Sequence, residues 1–294
     1  MKLHSSVKAY GKVNLGLDVT GKRDDGYHLV RMIMQSVDIY DEVTLNAEES
    51  GSDCGTILVT CDHPDVPTDN SNLAFRAAEL ISLRYHLDAD ICIDIRKRIP
   101  MAAGMAGGSA DAAAVIVGMD QCFQLGMTSD EKDRIAVELG ADVPFCLRHG
   151  TWLAEGIGEQ LTKVTDLTHC FMVIVKPDFG VSTPWAYREL DVLSEIRDSS
   201  IHHPDIDALI GALDSGNIRR IACHMGNILE AAVIRFHPEI QNIKDTLVSH
   251  GAVRALMSGS GPTVFGIFDN AEQADFAFSH LEGRPHYDKF KVEF

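Results

Sequence analysis

The stretch Ile99-Pro100-Met101-Ala102-Ala103-Gly104-Met105-Ala106-Gly107-Gly108-Ser109-Ala110-Asp111-Ala112-Ala113-Ala114 reads as the end of a strand, a glycine-rich loop and the start of a helix, an order that suits the binding of an anion. Glycines at 104, 107 and 108 allow positive φ and close backbone approach, so several N–H groups can point at one ligand, and the helix dipole adds positive potential there. Upstream, Ile91, Ile93 and Ile95 alternate with Cys92, Asp94 and Arg96, the period of a half-buried strand, which Pro100 ends. Downstream, Ala112, Val115, Ile116, Met119 and Phe123 fall at helical spacing. Ser109 or Gly108 is the expected N-cap, and Asp111 is expected in the first turn, where negative charge is favoured. Neither common phosphate pattern fits: no Lys-Ser or Lys-Thr follows the glycines, and their spacing is not G-x-G-x-x-G. A bend that merely fits a helix closely onto a strand is the alternative.

Four other sites carry residue types that could join such chemistry. Lys12 precedes a strand in which Val13, Leu15, Leu17 and Val19 alternate with Asn14, Gly16 and Asp18; it is either a working cation or a solvated surface charge. Gly21-Lys22-Arg23-Asp24-Asp25-Gly26-Tyr27-His28 is a polar turn that ends in an aromatic ring and an imidazole, a grip for a flat heteroaromatic ring or a plain hairpin connection. Asp142, in Gly140-Ala141-Asp142-Val143-Pro144-Phe145, is either a base or a turn residue accepting backbone hydrogen bonds. Tyr187 lies on a helix expected to open with Thr183 as N-cap and Pro184 at the first helical position, and core packing is its plain role. A second glycine-rich turn, Ser258-Gly259-Ser260-Gly261-Pro262-Thr263, falls between two strands and therefore lacks a helix dipole. The letters Asp178-Phe179-Gly180 are no kinase magnesium motif, because the His-Arg-Asp loop that motif needs is missing.

The elements that must hold these residues follow from pattern. The first 60 or so residues read as an antiparallel meander, with Leu29 to Val37, Val43 with Leu45, and Ile57 to Cys61 as strands. Asp69-Asn70-Ser71-Asn72 caps a helix running to about Leu87, and Thr128-Ser129-Asp130-Glu131 is a capping box opening a helix that Gly140 closes. Later come strands over Phe171 to Lys176, Ala252 to Met257, Val264 to Phe268 and Tyr287 to Phe294, with helices between Asp205 and His250 and over Ala271 to Leu281. A chain of 294 residues, 45% hydrophobic, can bury a substantial core in one large or two medium domains. Seven scattered cysteines, none in Cys-x-x-Cys spacing, support neither a disulfide framework nor a zinc site. A formal charge of −17 argues against nucleic acid and a polybasic membrane contact as partners, and no stretch approaches a membrane span, so a cytoplasmic location is expected. Any phosphate must be met locally, by helix N-termini, a few placed cations and a divalent metal ion.

Pro100, Gly104, Gly108 and Ser109, followed by an alanine-rich helix, resemble the phosphate loop of the GHMP kinases, the superfamily of galactokinase, homoserine kinase and mevalonate kinase. Ala9-Tyr10-Gly11-Lys12-Val13-Asn14-Leu15, Arg23-Asp24-Asp25-Gly26-Tyr27-His28, Gly140-Ala141-Asp142-Val143-Pro144 and Ser258-Gly259-Ser260-Gly261-Pro262-Thr263 are similar, in order, to motifs of the 4-diphosphocytidyl-2-C-methyl-D-erythritol kinases. The resemblance spans the whole chain. It implies an α+β, two-domain GHMP kinase fold: a ribosomal-protein-S5-like N-terminal domain (1–155) for ATP binding and catalysis, a ferredoxin-like C-terminal domain (156–294) for substrate, and the active site in the cleft between them. It also implies ATP-dependent phosphorylation of the 2-hydroxyl of 4-diphosphocytidyl-2-C-methyl-D-erythritol in non-mevalonate isoprenoid synthesis, with ATP and Mg2+ as cofactors and a monomer or homodimer as the working form. In that reading Pro100, Met101, Ala102, Ala103, Gly104, Met105, Ala106, Gly107, Gly108 and Ser109 hold ATP. Asp142 takes the hydroxyl proton, and Lys12 orients it and offsets charge. Asn14, Tyr27, His28, Thr183, Tyr187, Gly259 and Ser260 hold the acceptor, with Tyr27 and Tyr187 sandwiching cytosine and His28 bonding its polar edge. Met105, Ala106 and Ala110 depart from the Leu, Gly and Ser common in the family; the lost glycine constrains the loop, and the lost hydroxyl leaves Ser109 as its side-chain oxygen. Another GHMP kinase, acting on homoserine, mevalonate or a sugar, and a non-catalytic nucleotide-binding regulator are the rival readings.

Overall fold

A computed structural model describes residues 3–50, 55–281 and 287–294. In chain order its elements are β1 (Leu3–Lys22), β2 (His28–Glu49), β3 (Ile57–Cys61), α1 (Leu73–Tyr85), β4 (Ala89–Arg96), α2 (Gly107–Phe123), α3 (Ser129–Leu139) and α4 (Val143–Cys146). Then follow β5 (Thr151–Glu155), β6 (Gln160–Lys163), β7 (Phe171–Pro177), α5 (Thr183–Glu195), α6 (Ile206–Asp214), α7 (Ile218–His224), β8 (Gly226–Asn227) and α8 (Glu230–Phe236). The chain closes with α9 (Glu239–Ser249), β9 (Arg254–Met257), β10 (Val264–Phe268), α10 (Ala271–His280) and β11 (Tyr287–Glu293). They form two compact units, and both long strands β1 and β2 pass from one unit into the other.

The first unit takes the described residues of Met1–Gly11, Ile39–Ile99 and Ala106–His149. Its strands run in the order β3-β4-β2-β1. Val43, Leu45 and Ala47 of β2 stand opposite Ile95, Ile93 and Ile91 of β4, so the apolar phases of both strands fall on one face. The expected meander is corrected twice. Val43 and Leu45 continue β2, since neither Gly nor Pro interrupts it from His28 to Glu49. β3 pairs with β4 in parallel, because the connection between them runs through α1, as a parallel pair requires. The predicted caps form: Asn72 accepts the N–H of Ala74, and Thr128 and Glu131 close a capping box. α2 is buried along most of its length and packs on α1; Gly118 lets it approach the sheet, where a Cβ would stand 2.5 Å from Leu45 Cδ1. Alanines suit this helix because larger side chains would hold the layers apart.

The second unit takes Lys12–Asp38, Pro100–Met105 and the described residues of Gly150–Phe294. Within it β1 pairs with β8 in parallel (Gly16↔Gly226, Leu17↔Asn227), while β2 pairs with β5 and β5 with β6, both antiparallel. A second sheet runs β11-β7-β10-β9, antiparallel throughout. In chain order it is strand, helices, two strands, helix and strand, a ferredoxin-like β-α-β-β-α-β arrangement. β8 is a two-residue strand that the hydrophobic pattern does not announce. Cys54 lies outside the described residues, and no disulfide joins any two of the six other cysteines. Among the described residues no helix is long and apolar enough to cross a membrane.

Candidate active site

The loop before α2 is built on left-handed backbone at three positions: Ala102 (φ 47°), Gly104 (φ 70°) and Ala106 (φ 59°). Ala106, not Gly108 or Ser109, is the N-cap, and it offers no side-chain hydrogen bond. The first bond of the helix runs from the Ala110 N–H to the Ala106 carbonyl at 2.9 Å, so the N–H groups of Gly107, Gly108 and Ser109 have no acceptor within it. Gly107 and Gly108 therefore serve by lacking a side chain, not by taking positive φ. A Cβ at Gly107 would stand 3.1 Å from Lys97 Nζ and 3.2 Å from Ile99, whereas one at Gly108 would meet nothing closer than 4.0 Å. That open surface over unbonded N–H groups fits a phosphate. Ala106 holds a conformation that costs an L-residue roughly 1–2 kcal/mol, which is the structural content of its departure from glycine. Ala103, Met105 and Ala110 are buried packing residues; Ala102 and Gly108 are exposed. Replacing Gly108 by Val is expected to leave the fold intact and raise KM for ATP at least tenfold. Isothermal titration checks this, and unchanged ATP affinity would restore the plain-bend reading.

Asp111 is not in the first turn, which holds no acidic residue. Its Oδ2 accepts from Lys97 Nζ at 2.9 Å, and Lys97 also donates to Asp41 Oδ2 at 2.5 Å. Asp41 Oδ1 accepts the N–H groups of Arg98 (2.5 Å) and Ile99 (2.8 Å). This buried clamp ties the stem that enters the loop to the helix that leaves it, and it neutralises charge that would otherwise oppose an anion. Burial pushes the Asp111 carboxyl up to about 7; Lys97 opposes the shift and Asp41 adds to it. Burial also works against the Lys97 ammonium, yet the two carboxylates hold it above its ordinary value. Because Asp111 keeps its proton in the folded state to near neutrality and in the unfolded state only to about pH 4, its stabilising share is complete below pH 4 and is lost as pH rises through 7. Wild type is thus expected to lose a few kcal/mol between pH 5 and 8 that Asp111→Asn does not, read as the difference in their urea midpoints.

Asp142 stands at the N-cap of α4, with Pro144 in the first turn and no side-chain cap bond. α4 packs on α2 and α3. Arg148 fastens it by giving Nη1 to the Pro144 carbonyl (2.6 Å) and both Nη1 and Nη2 to Asp133 (2.9 and 2.6 Å).

In the second unit Lys12 is no surface charge: only 4% of it is exposed. Its Nζ donates to Asn14 Oδ1 at 2.7 Å and to the Gly104 carbonyl at 3.0 Å, and its own N–H to Met105 O at 3.1 Å. Ser258 Oγ also donates to the Gly104 carbonyl, at 3.0 Å. Ser182, not Thr183, is the N-cap of α5, which frees the Thr183 hydroxyl to meet Ser260 Oγ at 2.8 Å. Tyr27, His28 and Tyr187 belong to the same unit. Tyr27 is 60% exposed, and the His28 ring lies 4.8 Å from that of Tyr187, tilted by 31°. His28 Nε2 lies 2.7 Å from Asp191 Oδ1, and Lys22 Nζ lies 2.6 Å from Asp191 Oδ2. Burial alone would raise the Asp191 carboxyl, but Lys22 and His28 hold it below its usual range. Asp191 is a residue the sequence reading missed; it stands four places after Tyr187, hence on the same face of α5.

The models for the GHMP kinases N terminal domain and the GHMP kinases C terminal match residues 72–150 and 202–285. A 4-diphosphocytidyl-2-C-methyl-D-erythritol kinase of Acetivibrio thermocellus is 48% identical over 94% of this chain and 94% of its own. This chain belongs to that kinase family. A relative of the same name from Lachnoclostridium phytofermentans is 42% identical over 96% of this chain and 94% of its own. A solved 4-(cytidine 5'-diphospho)-2C-methyl-D-erythritol kinase superposes with a TM-score of 0.79 at 28% identity, over 99% of this chain and 100% of that one. Homoserine kinase from Cytophaga hutchinsonii, at 0.77 and 20% identity, shares the fold over 99% of this chain and 95% of its own. The family's enzymes are phosphotransferases, so the glycine loop, Lys12 and Asp142 stand in an ATP-dependent kinase.

Proposed function

We propose that this chain transfers the γ-phosphoryl group of ATP to the 2-hydroxyl of 4-diphosphocytidyl-2-C-methyl-D-erythritol, a step of non-mevalonate isoprenoid synthesis. The observation that carries the choice of acceptor is the group of His28, Tyr187 and Asp191 beside the exposed Tyr27. A homoserine or mevalonate site has no use for a grip on a flat base. The names of relatives at 42–48% identity point the same way.

Phosphoryl transfer demands positioning and charge stabilisation more than covalent chemistry. The N–H groups of Gly107, Gly108 and Ser109 hold phosphate oxygens, with the helix dipole behind them. Asp142 accepts the proton of the acceptor hydroxyl as it attacks, and the Lys12 ammonium offsets the charge developing on the transferred group. Among the described residues no three of His, Cys, Asp and Glu converge as metal ligands. Magnesium, when bound, would ride chiefly on the phosphates of ATP and neutralise them, as this ion commonly does.

Release of ADP with a panel of acceptors tests the reading. Turnover is expected with the cytidine diphosphate substrate and not with homoserine, mevalonate or galactose; turnover with one of those instead would replace it.

A further inference from the structure

Asn227 lies in β8, where it pairs with Leu17 of β1, the strand that carries Lys12 and Asn14, and the next N–H, of Ile228, donates to Leu17 O at 3.0 Å. It is 7% exposed, and its amide is fully engaged. Nδ2 donates to Met257 O at 2.8 Å and to Gly259 O at 2.7 Å, while Oδ1 accepts the Leu229 N–H at 3.0 Å. Two carbonyls and one N–H as partners fix which end of the amide is nitrogen. Three residues on, Glu230 Oε1 accepts the Met257 N–H at 2.8 Å, and its Oε2 is paired with Lys244 at 2.6 Å. Asn227 and Glu230 thus grip the stem of the Ser258–Thr263 turn from its carbonyl and its amide sides. The turn closes on itself through Ser258 N to Thr263 O (2.8 Å) and Gly261 N to Ser258 O (2.9 Å).

That turn bears on Lys12 directly. Ser258 Oγ and Lys12 Nζ share one acceptor, the Gly104 carbonyl. Gly259 comes so close that a Cβ there would stand 3.0 Å from the same oxygen and 3.3 Å from Lys12 Nζ. Asn14 and the Gly104 carbonyl each take a hydrogen of the ammonium, so a shift of that carbonyl would move the Lys12 head group. Electrostatic stabilisation of a transferring phosphoryl group depends on where such a cation is held, to within about 0.5 Å. We propose that Asn227 is a positioning residue for phosphoryl transfer, holding the Ser258–Gly259 turn against the Gly104 carbonyl and thereby fixing the Lys12 ammonium. Its amide suits the task because both donors and the acceptor are used at once; a carboxylate of the same shape would turn the two donated bonds into contacts between acceptors.

This inference rests on the reading of Lys12 given above, and a double-mutant cycle separates the two. Asn227→Asp is expected to lower kcat ten- to a hundredfold per folded molecule, with KM for ATP and for the acceptor changed less than threefold. In a Lys12→Ala background the same substitution is expected to cost less than a further twofold in kcat. Ser258→Ala, a milder change that keeps the turn's backbone, is expected to cost three- to tenfold alone and nothing further beside Lys12→Ala; it carries the test if Asn227→Asp does not fold. Losses that multiply with that of Lys12→Ala would show that Asn227 acts elsewhere, and a folded Asn227→Asp enzyme with wild-type kcat would overturn the inference while leaving Lys12 its role. Wild-type kcat in Lys12→Ala itself would remove the reading of Lys12 and this inference together.

Discussion

Asp142→Asn is expected to leave the protein folded, with ATP affinity within about twofold of wild type, and to lower kcat by roughly 10²–10⁴-fold, the usual contribution of a positioned general base. The substitution is chosen to oppose the two roles that the sequence leaves open. At an N-cap Asn is as good as Asp, so a residue kept only to open the short helix would lose little by the change. α4 is secured by other means: its own Val143, Pro144 and Phe145 are buried, and Arg148 ties it to Asp133 of α3. A loss of rate with the melt unchanged is therefore chemistry rather than folding. Steady-state rates with both substrates saturating, set beside a thermal melt of the same sample, decide the matter. A folded variant with near-normal kcat would return Asp142 to a structural role.

Much of the frame that holds these groups is legible in the chain, and the places where reading fails share a cause. The cap at Asn72 and the capping box at Thr128 are local signals, written within four residues, and both form, the first opening a helix that ends at Tyr85 rather than near Leu87. The N-cap of α2 is local too, yet residue preference points past it to Gly108 or Ser109, because glycine and serine are preferred caps and alanine is not. What overrides preference there is the loop, whose left-handed turns at Gly104 and Ala106 start the helix early. The parallel partner of β4 and the two-residue β8 depend on which strand lies beside which, and no period within either strand encodes that. One distant partnership did leave a trace. Val37, Ile39, Val43 and Leu45 are the inward phase of β2, and Asp41 interrupts it at an inward position with no part of its surface exposed. A carboxylate on the buried phase of a strand needs a cation, and Lys97 supplies it. Asp191 gave a comparable hint through its spacing from Tyr187. Of the candidate site, the sequence names the glycine loop, Lys12 and the aromatic pair; it does not name the residues that hold them, Asn227 and Asp191, because their roles exist only in the folded contacts.

The substrate's base provides the other large effect. Tyr187→Ala and Tyr27→Ala are each expected to raise KM for the cytidine diphosphate acceptor roughly ten- to a hundredfold, the kinetic equivalent of the 1–3 kcal/mol that one stacked base is worth. Tyr27, 60% exposed, has little to lose in stability when truncated, so its effect reads as binding. Stacking tolerates any base, and discrimination must come from hydrogen bonds. Asp191 bears on that point: held charged by Lys22 as well as by His28, it favours the His28 tautomer with the proton on Nε2, which leaves Nδ1 as an acceptor. An acceptor matches the exocyclic amino group of cytosine and opposes the carbonyl that uracil carries there. His28→Ala and Asp191→Asn are accordingly expected to erode the preference for cytidine over uridine acceptors about tenfold, as kcat/KM ratios, while each folds and turns over. The control is an acceptor lacking the nucleoside altogether, expected to be phosphorylated at least a hundredfold less efficiently than the full one. Equal efficiency would end the case for a base clamp, and an unchanged cytidine-to-uridine ratio in Asp191→Asn would separate that carboxylate from the selection of the base.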